Sequence, residues 1–398
     1  MNNYTYLILG GGMTADAAIQ GIRDVDQTGS IGLISADQHP PYDRPPLTKG
    51  LWKGKPFESI WRHTEDQQGI TLHLGRTVRQ FDPHKKQAID DEGNSYSYTK
   101  LLLATGGSPR RLPFGDDRII YYRTVDDYER LRGLTQSAEH FAVIGGGFIG
   151  SEIAAALAMN GKKVTMIFPN SAIGGRMFPP ELASFLNDFY RQKNVEVLTG
   201  KEVDGLQTRG DRTALSLRDI HGHADPEVVA DSVVAGIGIQ PNVDLAKAAG
   251  LELDDGIRVD ASLRTSHPDI WAAGDVANFY NPLLDKRLRV EHEDNANTMG
   301  RIAGQSMAGK SVTYDHLPFF YSDLFELGYE AVGEVDSRLE TFADWKEPYR
   351  KGVVYYLRDG RVRGVLLWNV WEQVDAARTL IAEPGPFRAD NLNGRLPT

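Results

Sequence analysis

Apolar residues occur along this chain in short blocks, separated by stretches with helical spacing. Residues 6–9 read as a buried strand, 15–23 as the helix after it, and 31–35 as a second strand. That succession begins a right-handed βαβ unit. The logic then repeats: 141–144 is a strand, 150–159 a helix and 164–168 the next strand, followed by an amphipathic helix over 181–192 and a strand over 195–198. Apolar runs at 101–107 and 233–237 close the two units in similar ways, and 270–275 is an apolar strand ending in an acid, Asp275. From about Asp315 the texture changes. Residues 353–357, Arg358-Asp359-Gly360-Arg361 and 362–368 predict a β-hairpin with an Asp-Gly turn, followed by a helix over 374–381 and a loose tail.

Each βαβ unit carries a glycine-rich turn between its first strand and its helix. In the first, Gly10, Gly12 and Ala15 fit the dinucleotide pattern within Gly10-Gly11-Gly12-Met13-Thr14-Ala15. Gly10 allows the tight turn, Gly12 lets a pyrophosphate approach the backbone, and Ala15 allows close helix–strand packing. Asp37, at the end of the second strand, is placed to accept hydrogen bonds from an adenosine ribose. In the second turn Gly145, Gly147 and Gly150 fit the same pattern, but the following strand ends in Phe168-Pro169-Asn170-Ser171 rather than in an acid. A carboxylate there would grip the 2′-hydroxyl of NAD and repel the 2′-phosphate of NADP. Asn170 does neither strongly. Arg176 is either a partner for a 2′-phosphate or a solvated loop arginine, so NADH and NADPH both stay open.

A proline-rich segment, Pro40-Pro41-Tyr42-Asp43-Arg44-Pro45-Pro46-Leu47-Thr48-Lys49, lies between the units. Its prolines exclude helix and central strand and predict an ordered connection. Arg44, Lys49 and Arg110 all sit in Pro- or Gly-flanked loops, positions suited to neutralising a pyrophosphate or polarising a bound ring.

Composition narrows the chemistry. The chain has 398 residues, enough for two or three domains, and a formal net charge of −10, which argues against nucleic acid and anionic membrane surfaces. No apolar run reaches spanning length, and the first strand starts too early for a signal peptide. A cytoplasmic location, or a chain trimmed of its leader, is expected. With Cys 0, disulfides, zinc–thiolate sites, iron–sulfur ligation and thiol redox chemistry are excluded, and no metal site is expected.

The chain resembles the FAD-dependent pyridine nucleotide oxidoreductases of glutathione-reductase-like fold, and within them the apoptosis-inducing-factor-like and ferredoxin/rubredoxin reductase branch. The resemblance rests on Pro41 to Lys49, the block from Gly145 to Glu152, Trp271-Ala272-Ala273-Gly274-Asp275, Arg289-Val290-Glu291-His292-Glu293-Asp294, Phe320-Tyr321-Ser322-Asp323-Leu324, Gly328-Tyr329-Glu330-Ala331-Val332-Gly333 and the hairpin around Asp359. It implies an α/β fold with two Rossmann-like dinucleotide-binding domains plus a C-terminal α/β domain. The FAD-binding domain is expected at 1–109 and 237–313, the NAD(P)-binding domain at 110–236 and the C-terminal domain at 314–398. It further implies FAD contacts at Gly10, Gly11, Gly12, Met13, Thr14, Ala15, Asp37, Arg44, Lys49, Val78, Thr105, Gly106, Arg110, Asp275, His292 and Tyr321. NAD(P) contacts are implied at Gly145, Gly147, Phe148, Ile149, Gly150, Glu152, Asn170, Arg176, Gly238, Glu291, Glu330 and Asn369. Lys49 paired with Glu152 is implied to sit beside the flavin N5, Phe148 to cover the flavin face, and His292 to act beside them.

Two departures are visible. The family's Trp before Ser-Asp is Tyr321, and only a short link, 339–350, stands where apoptosis-inducing factor carries a long insertion. The resulting expectation is an NAD(P)H-dependent flavoprotein reductase that passes electrons to a ferredoxin- or rubredoxin-like carrier or a quinone-like acceptor. The alternatives are a slow redox switch acting through dimerisation, as in apoptosis-inducing factor, and reduction of monodehydroascorbate. Whether the chain forms a homodimer is left open.

Overall fold

The computed structural model describes residues 2–398 and divides the chain into two compact units. Among the described residues the first comprises 2–44, 57–108 and 240–319; the second comprises 45–56, 109–239 and 320–398.

The first unit is built on a mostly parallel sheet. Its strands run in the order Ile70–His73, Ile31–Ile34, Asn2–Leu9, Ser95–Leu103, Gln87–Asp90 and Val78–Asp82, with Ile270–Ala272 also paired to Ser95–Leu103. Leu9 lies in register between Ile34 and Leu103, and Ala272 lies beside Leu103. The central strands are buried on both faces, Leu7, Ile8, Leu101 and Leu102 sharing one core with Ala18 and Ile22 of a helix and with Ile257 and Phe279 of neighbouring strands. The helix Met13–Arg23 packs on Glu293–Met307 at very close range. A Cβ on Gly300 would lie 2.4 Å from the Thr14 carbonyl oxygen, and one on Gly304 would lie 2.0 Å from that of Ala18.

The second unit holds a wholly parallel sheet in the order Val195–Thr199, Lys163–Phe168, His140–Ile144, Ser232–Ala235 and Ile119–Tyr121. The same unit contains a five-stranded sheet, ordered Phe319–Leu324, Leu327–Gly333, Arg361–Trp368, Lys351–Arg358 and Glu340–Glu347. Aromatic packing joins the two: Phe178 meets Tyr329 and Trp368 edge-on at 5.3 and 5.5 Å, and Phe189 meets Phe325 at 5.8 Å. The predicted hairpin is present, with Asp359 and Gly360 at φ 53° and 72° between Arg358 and Arg361. That pair of left-handed residues is the backbone a two-residue turn requires.

Three expectations need correction, and one sheet went unpredicted. The proline-rich segment contains a short 3-10 turn at Pro45–Leu47, with another just after it at Gly50–Lys53, because proline is tolerated where a helical turn begins and its N–H would have no partner. The link at 339–350 is largely the edge strand Glu340–Glu347, paired antiparallel to Lys351–Arg358. The tail is not loose: Ala389–Leu392 is helical, Leu392 and Leu396 are buried, and the Leu396 N–H donates to the Tyr355 hydroxyl oxygen. Finally, the stretch before the closing strand of the parallel sheet is a three-stranded antiparallel sheet, Lys201–Arg209, Arg212–Asp219 and Ala224–Ala230, that the apolar pattern did not reveal. Among the described residues no helix is long and apolar enough to cross a membrane.

Candidate functional site

The first glycine turn follows directly from the end of Asn2–Leu9. Gly10 has φ +123°, and a Cβ there would lie 2.1 Å from the Ala104 carbonyl oxygen, so only glycine fits. Gly12 caps Met13–Arg23 without a side-chain cap, and the nearest atom to its Cβ direction is Nη2 of Arg44 at 3.9 Å. An uncapped helix N-terminus beside a guanidinium, with room for the backbone to be approached, fits the diphosphate of a dinucleotide. Gly11 lies against the Ser35 side chain, and Gly274 against that of Thr14, which brings Asp275 beside the same turn. Ala15 is buried in the helix.

The remaining first-unit candidates occupy varied settings. The Asp37 carboxylate already accepts from the Tyr42 hydroxyl and the His39 N–H, each at 3.0 Å. Thr105 donates to the Asn242 carbonyl at 2.8 Å, and Gly106, with φ 60°, follows it. Val78 opens the strand Val78–Asp82, and His292 caps the helix Glu293–Met307. Glu291 pairs with Arg289 at 2.5 Å, and Arg289 also donates to the Asp275 carbonyl at 3.1 Å.

The second turn repeats the first in its own unit. Gly145 has φ +119°, and its Cβ would lie 2.3 Å from the Gly236 carbonyl oxygen; that of Gly150 would lie 2.1 Å from Gly145's. Gly147 caps Phe148–Met159, again with no side-chain cap, and nothing lies within 4 Å of its Cβ direction. Ile149 packs against Gly236. The loop after Phe168 folds back over this turn, the Gly174 N–H donating to the Gly146 carbonyl at 2.9 Å. Asn170 and Arg176 are exposed on that loop. The Asn170 carbonyl accepts from the Gly200 N–H, and the Gly200 carbonyl from the N–H of the exposed Ile220. Gly238, at φ +94°, accepts from the N–H of the exposed Arg110.

Glu330 lies on the five-stranded sheet and Asn369 directly after its strand Arg361–Trp368, and the two behave differently. Burial raises the Glu330 carboxyl above the ordinary glutamate range, and its Oε2 has no hydrogen-bond partner among the described residues. The Asn369 side chain is committed to backbone groups, accepting from the Gly328 N–H at 2.7 Å and donating to the Arg350 carbonyl at 2.8 Å.

The most developed cluster surrounds Glu152, on the helix after the second turn and only 3% exposed. Lys49 Nζ lies 2.8 Å from its carboxylate. Two hydroxyls complete the shell: Thr48 Oγ1 donates to Oε2 at 2.5 Å and Ser322 Oγ to Oε1 at 2.6 Å. Lys49 Nζ also lies 5.2 Å from the centre of the Tyr321 ring. Phe148, 36% exposed, packs edge-on against Phe320 at 5.2 Å. Burial, with the Glu152 charge adding to it, drives the Tyr190 and Tyr329 phenols well above their ordinary range. Neither phenol is therefore an acid–base group at neutral pH, and Lys49 is the cation that this cluster presents. Thr48 and Ser322 escaped sequence reading because single hydroxyls carry no spacing pattern; their only signal was adjacency to Lys49 and Tyr321.

The chain is 34% identical over 422 residues to the mitochondrial apoptosis-inducing factor 1 of Dictyostelium discoideum, covering 96% of this chain and 79% of that protein. It is 34% identical over 400 residues to the 5,5'-dehydrodivanillate O-demethylase ferredoxin reductase subunit of Sphingobium sp., covering 98% of this chain and 96% of the relative. A solved covalent putidaredoxin reductase–putidaredoxin complex contains a chain that superposes with a TM-score of 0.90 at 30% identity, covering 98% of this chain and 95% of that one. The model of the apoptosis-inducing factor C-terminal domain matches residues 303–348 and 343–383. With the pyridine nucleotide-disulphide oxidoreductase model matching residues 4–300, the chain belongs to that family.

Proposed function

We propose that the chain is the flavoprotein reductase of a short electron-transfer chain, taking a hydride from NADH or NADPH and passing electrons singly to a small ferredoxin- or rubredoxin-like carrier. FAD, when bound, supplies a group that accepts two electrons together and releases them one at a time. The chain's own residues bind, orient and charge. Gly10, Gly12 and Arg44 hold one diphosphate at the N-terminus of Met13–Arg23, and the uncapped N-terminus at Gly147 holds the other. The Lys49 ammonium supplies a fixed positive charge for hydride uptake. Thr48 and Ser322 fix the Glu152 carboxylate, which in turn fixes Lys49. Phe148 is the aromatic cover that gives way to nicotinamide. The observation that carries this reading is Lys49 paired to the buried Glu152 carboxylate in a chain without a single thiol. The three-domain division and the cytoplasmic setting expected from the sequence belong to the same proposal.

A second reading, a slow redox switch, is favoured by the match of the C-terminal segment to the apoptosis-inducing factor domain. One experiment separates the two. The purified protein is mixed anaerobically with NADH or NADPH in a stopped-flow instrument, then with candidate carriers. The carrier reading expects loss of yellow colour and rapid recovery on carrier addition. Sluggish recovery with a change of oligomeric state supports the switch. Colourless protein, or colour that neither coenzyme bleaches, overturns both.

A further inference from the structure

We propose that the coenzyme site on the second glycine turn favours a 2′-phosphate, making NADPH the preferred hydride donor, and that Arg176 is the residue that meets this phosphate. The inference rests on the reading above that this turn binds a nicotinamide dinucleotide.

The strand Lys163–Phe168 ends just before Asn170, and the segment 169–178 contains no Asp or Glu. The group that would repel a 2′-phosphate is therefore missing from the place where a Rossmann unit carries it. Asn170 offers an amide that accepts and donates, so it tolerates either a hydroxyl or a phosphate. Among the described residues the side chains of Asn170 and Arg176 have no hydrogen-bond or ion-pair partner, and both are exposed. Arg338, brought near by Ser337, is instead committed to Asp336 at 2.5 Å.

The loop that carries this guanidinium is fixed in advance. Asn187 accepts from the Ile173 N–H and donates to the Ser171 carbonyl, each at 3.0 Å. The Gly174 N–H holds the loop to Gly146 at 2.9 Å, within the glycine turn itself. Ser337 donates through its N–H to the Arg176 carbonyl at 3.0 Å and through its hydroxyl to the Gly175 carbonyl at 2.9 Å. A solvated arginine needs no such anchoring. A fixed loop lowers the ordering cost of meeting a phosphate, and a guanidinium matches that phosphate with paired donors.

The test is calorimetric binding of adenosine 2′,5′-bisphosphate and of 5′-AMP to the purified, flavin-loaded protein, which reads the site without turnover. Wild type is expected to bind the bisphosphate about tenfold more tightly, the size of one charge-assisted contact. Arg176→Ala should erase that margin, weakening the bisphosphate about tenfold more than 5′-AMP. Asn170→Glu should reverse the preference. Both residues are exposed, and unchanged melting temperatures confirm intact folding. Equal or tighter binding of 5′-AMP by wild type, or a margin that survives Arg176→Ala, overturns the inference while leaving the dinucleotide site standing. If neither fragment binds, the reading of the turn falls as well.

Discussion

The two glycine turns and the helices after them form a matched pair in which the backbone agrees and the side chains diverge. Gly10 and Gly145 have φ values of +123° and +119°, and each would drive a Cβ into a carbonyl oxygen of a neighbouring segment. Each following helix buries a carboxylate within its first two turns, Asp16 at 1% and Glu152 at 3% exposed. Asp16 is held by Arg62 at 2.9 Å and Thr64 at 2.6 Å, while Glu152 is held by Lys49, Thr48 and Ser322. The difference lies in what the cation does next. Arg62 goes on to Asp43 and Asn297, each at 2.7 Å, so its donors are spent on architecture. Lys49 has one carboxylate and an aromatic face, and keeps donor capacity for something else. On the proposed reading, the same motif serves as a structural tie in one unit and as a chemical group in the other.

The comparison breaks most severely at the backbone. Gly10→Ala and Gly145→Ala combine a forbidden φ with a Cβ overlap, and each should cost about 4 kcal/mol. Gly10→Ala should purify without flavin, whereas Gly145→Ala should keep its colour but lose bleaching by nicotinamide coenzymes. Gly147→Ala, with φ −90° and free space around its Cβ, is the control and should melt like wild type. A colourless Gly145→Ala protein would show that the two turns do not serve separate ligands.

The buried carboxylates sharpen the contrast. Asp16→Asn leaves Arg62 without one of its charged partners and should lower stability by about 3 kcal/mol in denaturant melts, with little effect on hydride transfer in the protein that remains folded. Glu152→Gln should slow bleaching by nicotinamide coenzyme about a hundredfold. Equal slowing by both substitutions would mean that the distinction between tie and chemical group is false.

The smallest effect concerns a third carboxyl. Burial raises Glu330, so its protonated form is favoured in the folded protein. That contribution is fully present below the unfolded-state pKa and is lost as pH rises through the raised folded value. Glu330→Gln should therefore leave stability unchanged in acid and raise the melting temperature slightly at neutral pH. A melting temperature that falls at neutral pH would show that the Glu372 N–H, which favours the ionised carboxylate, outweighs burial.

Much of this was legible beforehand for a physical reason. A glycine at a left-handed, crowded position leaves a sequence mark, and so does an Asp-Gly hairpin, because few residues can occupy those φ values. The antiparallel sheet 201–230 left little mark, since exposed residues such as Asp204, Gln207 and Arg209 interrupt its apolar positions. The strand Glu340–Glu347 resembled a link because an edge strand is free to carry charge. Thr48 and Ser322 could not be read at all: they reach Glu152 across 104 and 170 residues of sequence, and only folding brings them together.

One practical consequence follows from the chain having no cysteine. A thiol introduced at Ile220, 59% exposed and joined through Gly200 to Asn170 by successive backbone hydrogen bonds, would be the sole attachment point for a maleimide dye. Its fluorescence would then report coenzyme arrival at the adenosine end in real time, without background labelling and without waiting for electrons to move.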